Sequence, residues 1–387
     1  MQLSVIILNY NVRYFLELCV LSVESALKNM DSEIIVVDNN SSDGSCEMIK
    51  SRFPNVKLIQ NSQNTGFPKG NNIGAAHANG DYICILNPDT VVAEDTFEKV
   101  LAFAQKQKKL GVVGVKLIDG TGNFLPESKR GIPTPWVAFT KIMGLYKIFP
   151  KSPLFNKYYA QHLSENETGE VEILVGAFML LKKELYQEIG GFDEDCFMYS
   201  DDIDLSYRVL QMGRSNFYFH ETVVIHYKGE STVKDGIYMK RFQEAMEFFY
   251  KKHFKVSFLF SIFMKIGIIF FSLIKRMQGQ VKSKIKAENY LLVSASETLV
   301  KIITAAVQKK VDFLDLEAEK EVNLSSNSIR NGLKIVLDNE FVSFKECIEI
   351  HERYVNKGVV FRIIPKGTNF CIGSDSSNGR GGIEKIK

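Results

Sequence analysis

Between residues 1 and 116, short apolar runs at 3–8, 33–37, 57–59, 82–86 and 112–116 alternate with stretches of helical character. Strands that read as continuous hydrophobic runs are buried on both faces, and helices between them let neighbours pair in parallel. The pattern predicts an α/β fold with a mostly parallel sheet covered by helices. In such a sheet ligands bind beyond the carboxyl ends of the strands, where the connecting loops gather. The polar runs fall in those places. Asp38-Asn39-Asn40-Ser41-Ser42-Asp43-Gly44 follows the second strand, the run from Asn64 to Asn72 follows the third, and Asn87-Pro88-Asp89-Thr90 follows the fourth.

The chain has 387 residues, enough for two or three domains, each with a core of its own. A formal net charge of +3, with no arginine-rich block or zinc-knuckle spacing, argues against a nucleic-acid partner. Six cysteines without a CxxC pair fit a reducing compartment better than a disulfide framework or a zinc site. No basic n-region followed by an apolar h-region opens the chain, so the start does not read as a signal peptide. Residues 117–170 are richer in Pro, Lys and aromatic side chains and read as an excursion that shapes an acceptor pocket. Strand character returns at 171–181, Gly190-Gly191-Phe192-Asp193 makes a turn, and a further strand at 223–226 ends on His226.

Residues 256–274 are strongly apolar, with Lys251, Lys252 and Lys255 before them and Lys275 and Arg276 after. As a membrane span this segment would hold Lys265 near the bilayer centre, at about 2.5–3.5 kcal/mol. At helical spacing Ser257, Ser261, Lys265, Ser272, Lys275 and Arg276 share one narrow stripe, which favours a helix lying on an anionic membrane surface. A buried helix, a helix that pairs two copies into a homodimer, and a true span are the other readings. Beyond a basic linker, strands at 290–293, 334–337 and 359–363 with helices from Glu297 and Ser343 predict a small Rossmann-like α/β domain. It lacks GxGxxG, and Ser294-Ala295-Ser296 stands where the glycines would be. The expected division is 1–250, 251–286 and 287–387.

Asp201, Asp202 and Asp204 place three carboxylates within four residues. Like charges held this close raise one another's pKa, which suits proton abstraction or metal binding. The plainer reading is a helix start, with Ser200 or Asp201 as N-cap, acids in the first turn, and Asp204 paired with Arg208 at i,i+4.

The ordered set Asn9-Tyr10-Asn11, Val36-Val37-Asp38-Asn39-Asn40-Ser41-Ser42-Asp43-Gly44, Asn64-Thr65-Gly66-Phe67, Leu86-Asn87-Pro88-Asp89 and Asp201-Asp202-x-Asp204-Leu205 resembles family 2 glycosyltransferases of the GT-A fold. In detail it resembles their bacterial rhamnosyltransferase-like branch, over residues 1–250. The resemblance implies a nucleotide-diphospho-sugar donor and a divalent cation, Mg2+ or Mn2+, because a departing diphosphate calls for hard-ligand charge stabilisation. Asp89 and His226 are the metal candidates it implies. Asn87-Pro88-Asp89 stands where many relatives carry Asp-x-Asp, so the site has one carboxylate fewer. Asn9, Tyr10, Asp38, Asn64, Gly66, Lys69 and Asn87 are the nucleotide-binding candidates, with Asp38 accepting from the pyrimidine N–H and Tyr10 packing on the base. Core packing for Tyr10 and turn formation for Asp38 are the structural alternatives.

The family usually has Glu-Asp at the acidic cluster, which assigns the general base to Asp202 and an orienting role to Asp201. Asp204 and Arg208 are then structural, and Gly176 permits close acceptor approach or merely packs a strand. Lys129 and Arg130 are candidates to neutralise the diphosphate or grip an acceptor phosphate, against a solvated loop pair. The activity implied is inverting sugar transfer to a lipid-linked or surface polysaccharide at the cytoplasmic face of the membrane. Two rivals remain at this point: a nucleotidyltransferase, whose glycine- and arginine-rich loop is missing after the first strand, and a catalytically silent scaffold.

Overall fold

The computed structural model describes residues 1–196, 200–228, 236–254, 289–316, 332–377, 379 and 381–386. The apolar segment 256–274 and Phe197-Met198-Tyr199 lie outside the described residues, as does the chain from Gly229 to Asp235 after His226. Among the described residues no helix is long and apolar enough to cross a membrane.

The first part of the chain runs β1 (Leu3–Asn9), α1 (Arg13–Leu27), β2 (Ser32–Asp38), α2 (Ser45–Arg52), β3 (Lys57–Gln60), α3 (Gly66–Ala76), β4 (Tyr82–Leu86), β5 (Thr90–Val91), α4 (Thr96–Gln105) and β6 (Leu110–Ile118). The excursion carries β7 (Lys129–Arg130), α5 (Pro135–Ile142) and α6 (Leu145–Ile148). The chain returns through β8 (Gly169–Val171), β9 (Ile173–Leu174), β10 (Phe178–Lys182), α7 (Lys183–Glu188), α8 (Asp201–Gln211), β11 (Ser215–His226) and α9 (Gly236–His253).

Nine strands form one sheet in the order β3-β2-β1-β4-β10-β6-β11-β5, with β8 also on β11. β3, β2, β1 and β4 are parallel, β10 runs antiparallel between β4 and β6, and β11 is parallel to β6. This is the mostly parallel sheet that the alternation predicts. The β1–β2 register pairs Asn9 with Asp38, so two polar strand ends finish level with each other. Helix α3 lies close on β1 because its contact face is glycine. A Cβ on Gly70 would stand 2.4 Å from Leu8, and one on Gly74 would stand 2.5 Å from Ile6.

Two strand expectations change. The run 171–181 is three short strands, because the chain around Gly176 leaves the ladder and gives its N–H to Asp202 instead. The strand at 223–226 is the end of a longer one. β11 starts at Ser215, and a register shift between Phe219 and Val223 absorbs the polar His220-Glu221-Thr222 that hid its continuity.

A second sheet comes from β12 (Asn289–Ser294), α10 (Glu297–Val307), β13 (Val311–Asp315), β14 (Leu333–Asp338), α11 (Phe344–Arg353), β15 (Val359–Ile364), β16 (Phe370–Gly373) and β17 (Gly382–Lys385). Its order is β13-β12-β14-β15-β16-β17, with the first four strands parallel. Helix α10 starts behind a Ser296 side-chain cap, and α11 behind a full capping box of Ser343 and Glu346. The two sheets share an apolar cluster in which Phe15, Val91, Ile225 and Tyr227 join Val293, Ile335, Phe361 and Phe370. Glu94 accepts from the Phe344 and Lys345 N–H groups at the positive end of α11, at 2.8 and 2.9 Å. At Gly122 the approach is closest: a Cβ there would lie 2.2 Å from the His351 carbonyl oxygen.

Candidate active site

The strand ends of the first sheet carry the polar ring. Asn9 is fully buried and donates through Nδ2 to Asp38 Oδ1 at 2.7 Å and to Ser41 Oγ at 3.0 Å. Asp38 Oδ2 accepts the Ser41 N–H at 2.8 Å, so the carboxylate is fixed from two sides. Asn11 and Asn40 take left-handed backbone conformations in these loops (φ 53° and 64°), where asparagine is among the better-tolerated residues. Tyr10, between these loops, is half exposed, not packed in the core.

A side chain that the motifs contain but did not single out holds the loops together. Asn39 donates to the Gly66 carbonyl at 3.1 Å and to Asn64 Oδ1 at 3.3 Å. Its Oδ1 accepts from Asn61 at 2.8 Å and Thr65 at 3.0 Å. The loop after β2 and the entry to α3 are thereby tied into one wall. Lys69 stands away from this wall's bonded groups: its ammonium lies 3.8 Å from Glu194, an exposed and weak pair.

Beyond β4, Asp89 and His226 face each other with Oδ1 and Nε2 3.4 Å apart, and Asn87 Nδ2 lies 3.4 Å from the same ring nitrogen. They meet because β5 pairs antiparallel with β11, placing Thr90 opposite His226, and the Tyr227 N–H donates to the Asp89 carbonyl at 3.0 Å. His226 Nδ1 is buried without a hydrogen-bond partner among the described residues. Glu127 is a neighbour that sequence reasoning missed. It binds Lys228 at 2.8 Å; burial pushes its carboxyl up, but Lys228, with His226 nearby, outweighs burial and holds it below the usual range.

The acidic cluster opens α8, where carboxylates suit the positive helix end. Ser200 precedes the helix without capping it; its hydroxyl lies 2.9 Å from the Cys196 thiol. The three acids are not a mutually repelling group, because two of them have separate cationic partners. Asp202 Oδ2 accepts from Arg130 Nη2 at 2.6 Å and from the Gly176 N–H at 3.1 Å. Asp202 Oδ1 is buried with no hydrogen-bond partner among the described residues. Asp204 is fully buried and accepts from Arg208 at 2.7 Å, His253 at 2.6 Å and Lys252 at 2.8 Å. Burial pushes the Asp204 carboxyl up, yet the hydrogen bonds from Lys252 and His253 and the Arg208 guanidinium outweigh it and hold it below the usual range. Arg208 also donates to the Ile189 and Gly191 carbonyls, clamping the glycine turn.

Gly176 acts through its backbone. A Cβ there would make only ordinary contacts, 3.5 Å from Asp202 Cβ and 3.6 Å from Phe67, so close packing does not demand the glycine. The adjacent Ala177 carbonyl accepts the Asn87 N–H at 3.0 Å. The sequence Asn87, Ala177, Gly176, Asp202 is therefore a short bonded path between the Asp89–His226 pair and the carboxylate of α8.

The phosphate readings of Lys129 and Arg130 are corrected by their partners. Lys129 is buried, and its ammonium donates to the carbonyls of Tyr159, Ala160 and Leu163 at 3.2, 3.1 and 2.8 Å, closing the root of the excursion. Arg130 belongs to Asp202. Nothing in the spacing of residues 72 positions apart announces that pair. All six cysteines are free and buried.

Three comparisons bear on this arrangement. Residues 4–190 match the profile of Glycosyl transferase family 2. An N-acetylglucosaminyl-diphospho-decaprenol L-rhamnosyltransferase of Mycobacterium tuberculosis is 26% identical over 244 residues, covering 60% of this chain and 78% of that one. A low-salt glycan biosynthesis hexosyltransferase, Agl10 of Haloferax volcanii, is 24% identical over 54% of this chain and 61% of its own length. Among solved structures, the mannosyltransferase PcManGT of Pyrobaculum calidifontis, in complex with GDP-Man and Mn2+, is similar at a TM-score of 0.44 and 19% identity, covering 63% of this chain and 61% of that one.

Proposed function

The chain belongs to glycosyl transferase family 2 and is a glycosyltransferase acting with a nucleotide-sugar donor, and from that premise we propose a divalent-metal-dependent, inverting transfer to a hydroxyl of a lipid-linked or polysaccharide acceptor. The observation that carries the reading is Asp202. One oxygen is fixed by Arg130 and the Gly176 N–H, and the other is buried and unbonded among the described residues. A carboxylate so held keeps a lone pair for one further donor, which suits a general base receiving the acceptor hydroxyl's proton. The acceptor oxygen then forms its bond to the anomeric carbon while the bond to the diphosphate breaks on the opposite face. A single displacement of this kind inverts the anomeric centre.

The donor set beyond β4 fits a hard divalent cation. Asp89 offers a carboxylate and His226 an imidazole whose Nε2 faces it, with the Asn87 amide beside the same nitrogen. Asp89 and His226 would hold Mg2+ or Mn2+, which when bound stabilises the negative charge of the departing diphosphate. On the other side, Asp38 and the Asn39-braced loops would receive the nucleoside, with the exposed Tyr10 ring against the base. The M. tuberculosis relative is named for L-rhamnosyl transfer to a decaprenol-linked acceptor, and this favours rhamnose and a membrane-borne acceptor at the cytoplasmic face for this chain.

The test is turnover of a panel of UDP-, GDP- and dTDP-sugars with and without Mn2+ or Mg2+. Metal-dependent release of one nucleoside diphosphate is expected. Asp89→Ala and His226→Ala should each raise the metal concentration for half-maximal turnover by at least the roughly 10–100-fold that losing even an outer-sphere partner of a bound metal costs. Unchanged metal dependence in both variants would remove the proposed ligands, and release from no donor at all would sink the donor assignment.

A further inference from the structure

The excursion between Arg130 and Glu165 leaves an apolar surface uncovered. Trp136, Met143, Ile148, Phe149 and Leu154 are exposed at 47%, 44%, 65%, 50% and 63%, all on α5, α6 or the turns that follow them. Their rings are grouped: Trp136 lies 5.5 Å from Phe139 and 6.1 Å from Phe155, and Phe155 lies 5.4 Å from Phe149. The indole N–H donates to the Leu154 carbonyl at 2.9 Å, so the ring is held in place while its apolar part faces outward.

The charge carried by the excursion's own residues has one sign, and the Glu172 carboxylate reaches only its root, at the Ile132 N–H. From 131 to 164 the sequence contains Lys141, Lys147, Lys151 and Lys157 and no Asp or Glu. Lys147, Lys151 and Lys157 are exposed. Lys141 instead covers the Tyr158 ring at 3.6 Å. Aromatic and aliphatic side chains beside lysines, with no acidic residue in the segment, match an anionic lipid headgroup layer above an acyl boundary. An acidic protein surface would supply the charge but not the apolar depth.

We propose that the α5–α6 excursion is a docking surface for an anionic lipid bilayer, and that it turns the Asp202 side of the active site toward the membrane. The coupling is built into its root. Arg130, at one end, holds the Asp202 carboxylate; Lys129 closes the loop onto carbonyls at its other end; and the Tyr250 hydroxyl donates to the Pro133 carbonyl at 2.5 Å, tying the first turn to α9. This rests on and extends the reading of a membrane-borne acceptor and draws on no residue of 256–274.

Trp136 is the chain's single tryptophan, so its emission reports on this surface in the unmodified full-length protein. Vesicles containing phosphatidylglycerol should shift that emission to the blue, and acyl chains brominated near the headgroup should quench it. Each exposed lysine contributes about fivefold to such binding. Lys147→Gln with Lys151→Gln should therefore weaken the Trp136 response about 25-fold, and phosphatidylcholine vesicles should elicit little response. Sedimentation with anionic vesicles while Trp136 stays unshifted and unquenched would overturn the proposal, as would an equal response to phosphatidylcholine or no vesicle binding. Emission already blue and unmoved by vesicles would also overturn it, in favour of a surface covered by the chain itself or a second copy. Donor hydrolysis read on the same preparation separates the two ideas: an active enzyme with a silent Trp136 loses only the docking surface.

Discussion

Both sheets set polar residues at the carboxyl ends of parallel strands, yet they leave those residues in different states. In the second sheet Ser294, at the end of β12, donates to Asp338 at the end of β14 at 2.6 Å. The Ser296 N–H donates to Ser294 Oγ at 2.9 Å, and the Glu340 N–H takes the other Asp338 oxygen at 3.1 Å. The groups close on one another. In the first sheet, buried Asn9 Oδ1, Asp202 Oδ1 and His226 Nδ1 have no hydrogen-bond partner among the described residues. A buried polar atom without a partner costs about 1–3 kcal/mol unless something completes it, and the ligands proposed above would do so for these three. Architecture is shared; at these strand ends the spare hydrogen-bonding capacity is not, and the proposed function draws on it.

The contrast is broken most directly by removing one negative charge at each place. Asp202→Asn should lower sugar transfer about 10²–10⁴-fold while leaving nucleoside diphosphate binding by calorimetry near wild type, and Asp338→Asn should leave turnover within about twofold. Lost nucleotide binding in Asp202→Asn would move that residue into the donor cradle. Lost turnover in Asp338→Asn would give the second sheet a part in the reaction.

A pH series sharpens the comparison next. His351 is fully buried in α11, its Nε2 has no partner among the described residues, and burial drops its pKa from 6.5 to about 4. The unfolded chain binds a proton at this position below 6.5 that the folded chain refuses until about 4. Stability is therefore complete above the upper value and falls as pH is lowered through that window, by up to about 3 kcal/mol. Urea midpoints between pH 7.5 and 4.5 measure it. His351→Gln should flatten the slope; an unchanged slope would assign the acid sensitivity to other groups. The smallest effect expected is for Ser294→Ala, about 1 kcal/mol of stability with turnover unchanged below the melt.

Much of this was legible because it depends on near neighbours. The apolar runs at 3–8, 33–37, 57–59 and 82–86 are strands, the loops that follow them carry the polar ring, and Asp204 does pair with Arg208 one helical turn away. The misread positions are those whose partners are distant. Lys129 and Arg130 look alike as adjacent cations, but one spends its charge on three carbonyls and the other on Asp202. Gly176 reads as a point of close acceptor approach or as a strand-packing glycine, and only the chain's exit from the ladder shows its N–H on a carboxylate. Glu127 carries no motif and is noticed only once Lys228 and His226 are folded against it.

By itself, then, the sequence determined the alternation of strand and helix, the placing of polar loops at strand ends, and the family, because periodicity and motif order are written in residues close along the chain. Tertiary structure alone decided which cation meets which carboxylate, which lone pair of Asp202 stays open, and which apolar residues of the excursion remain uncovered. Those outcomes depend on the burial and direction of groups brought together from far apart, and a charge or a ring acquires its role only from what it finally touches.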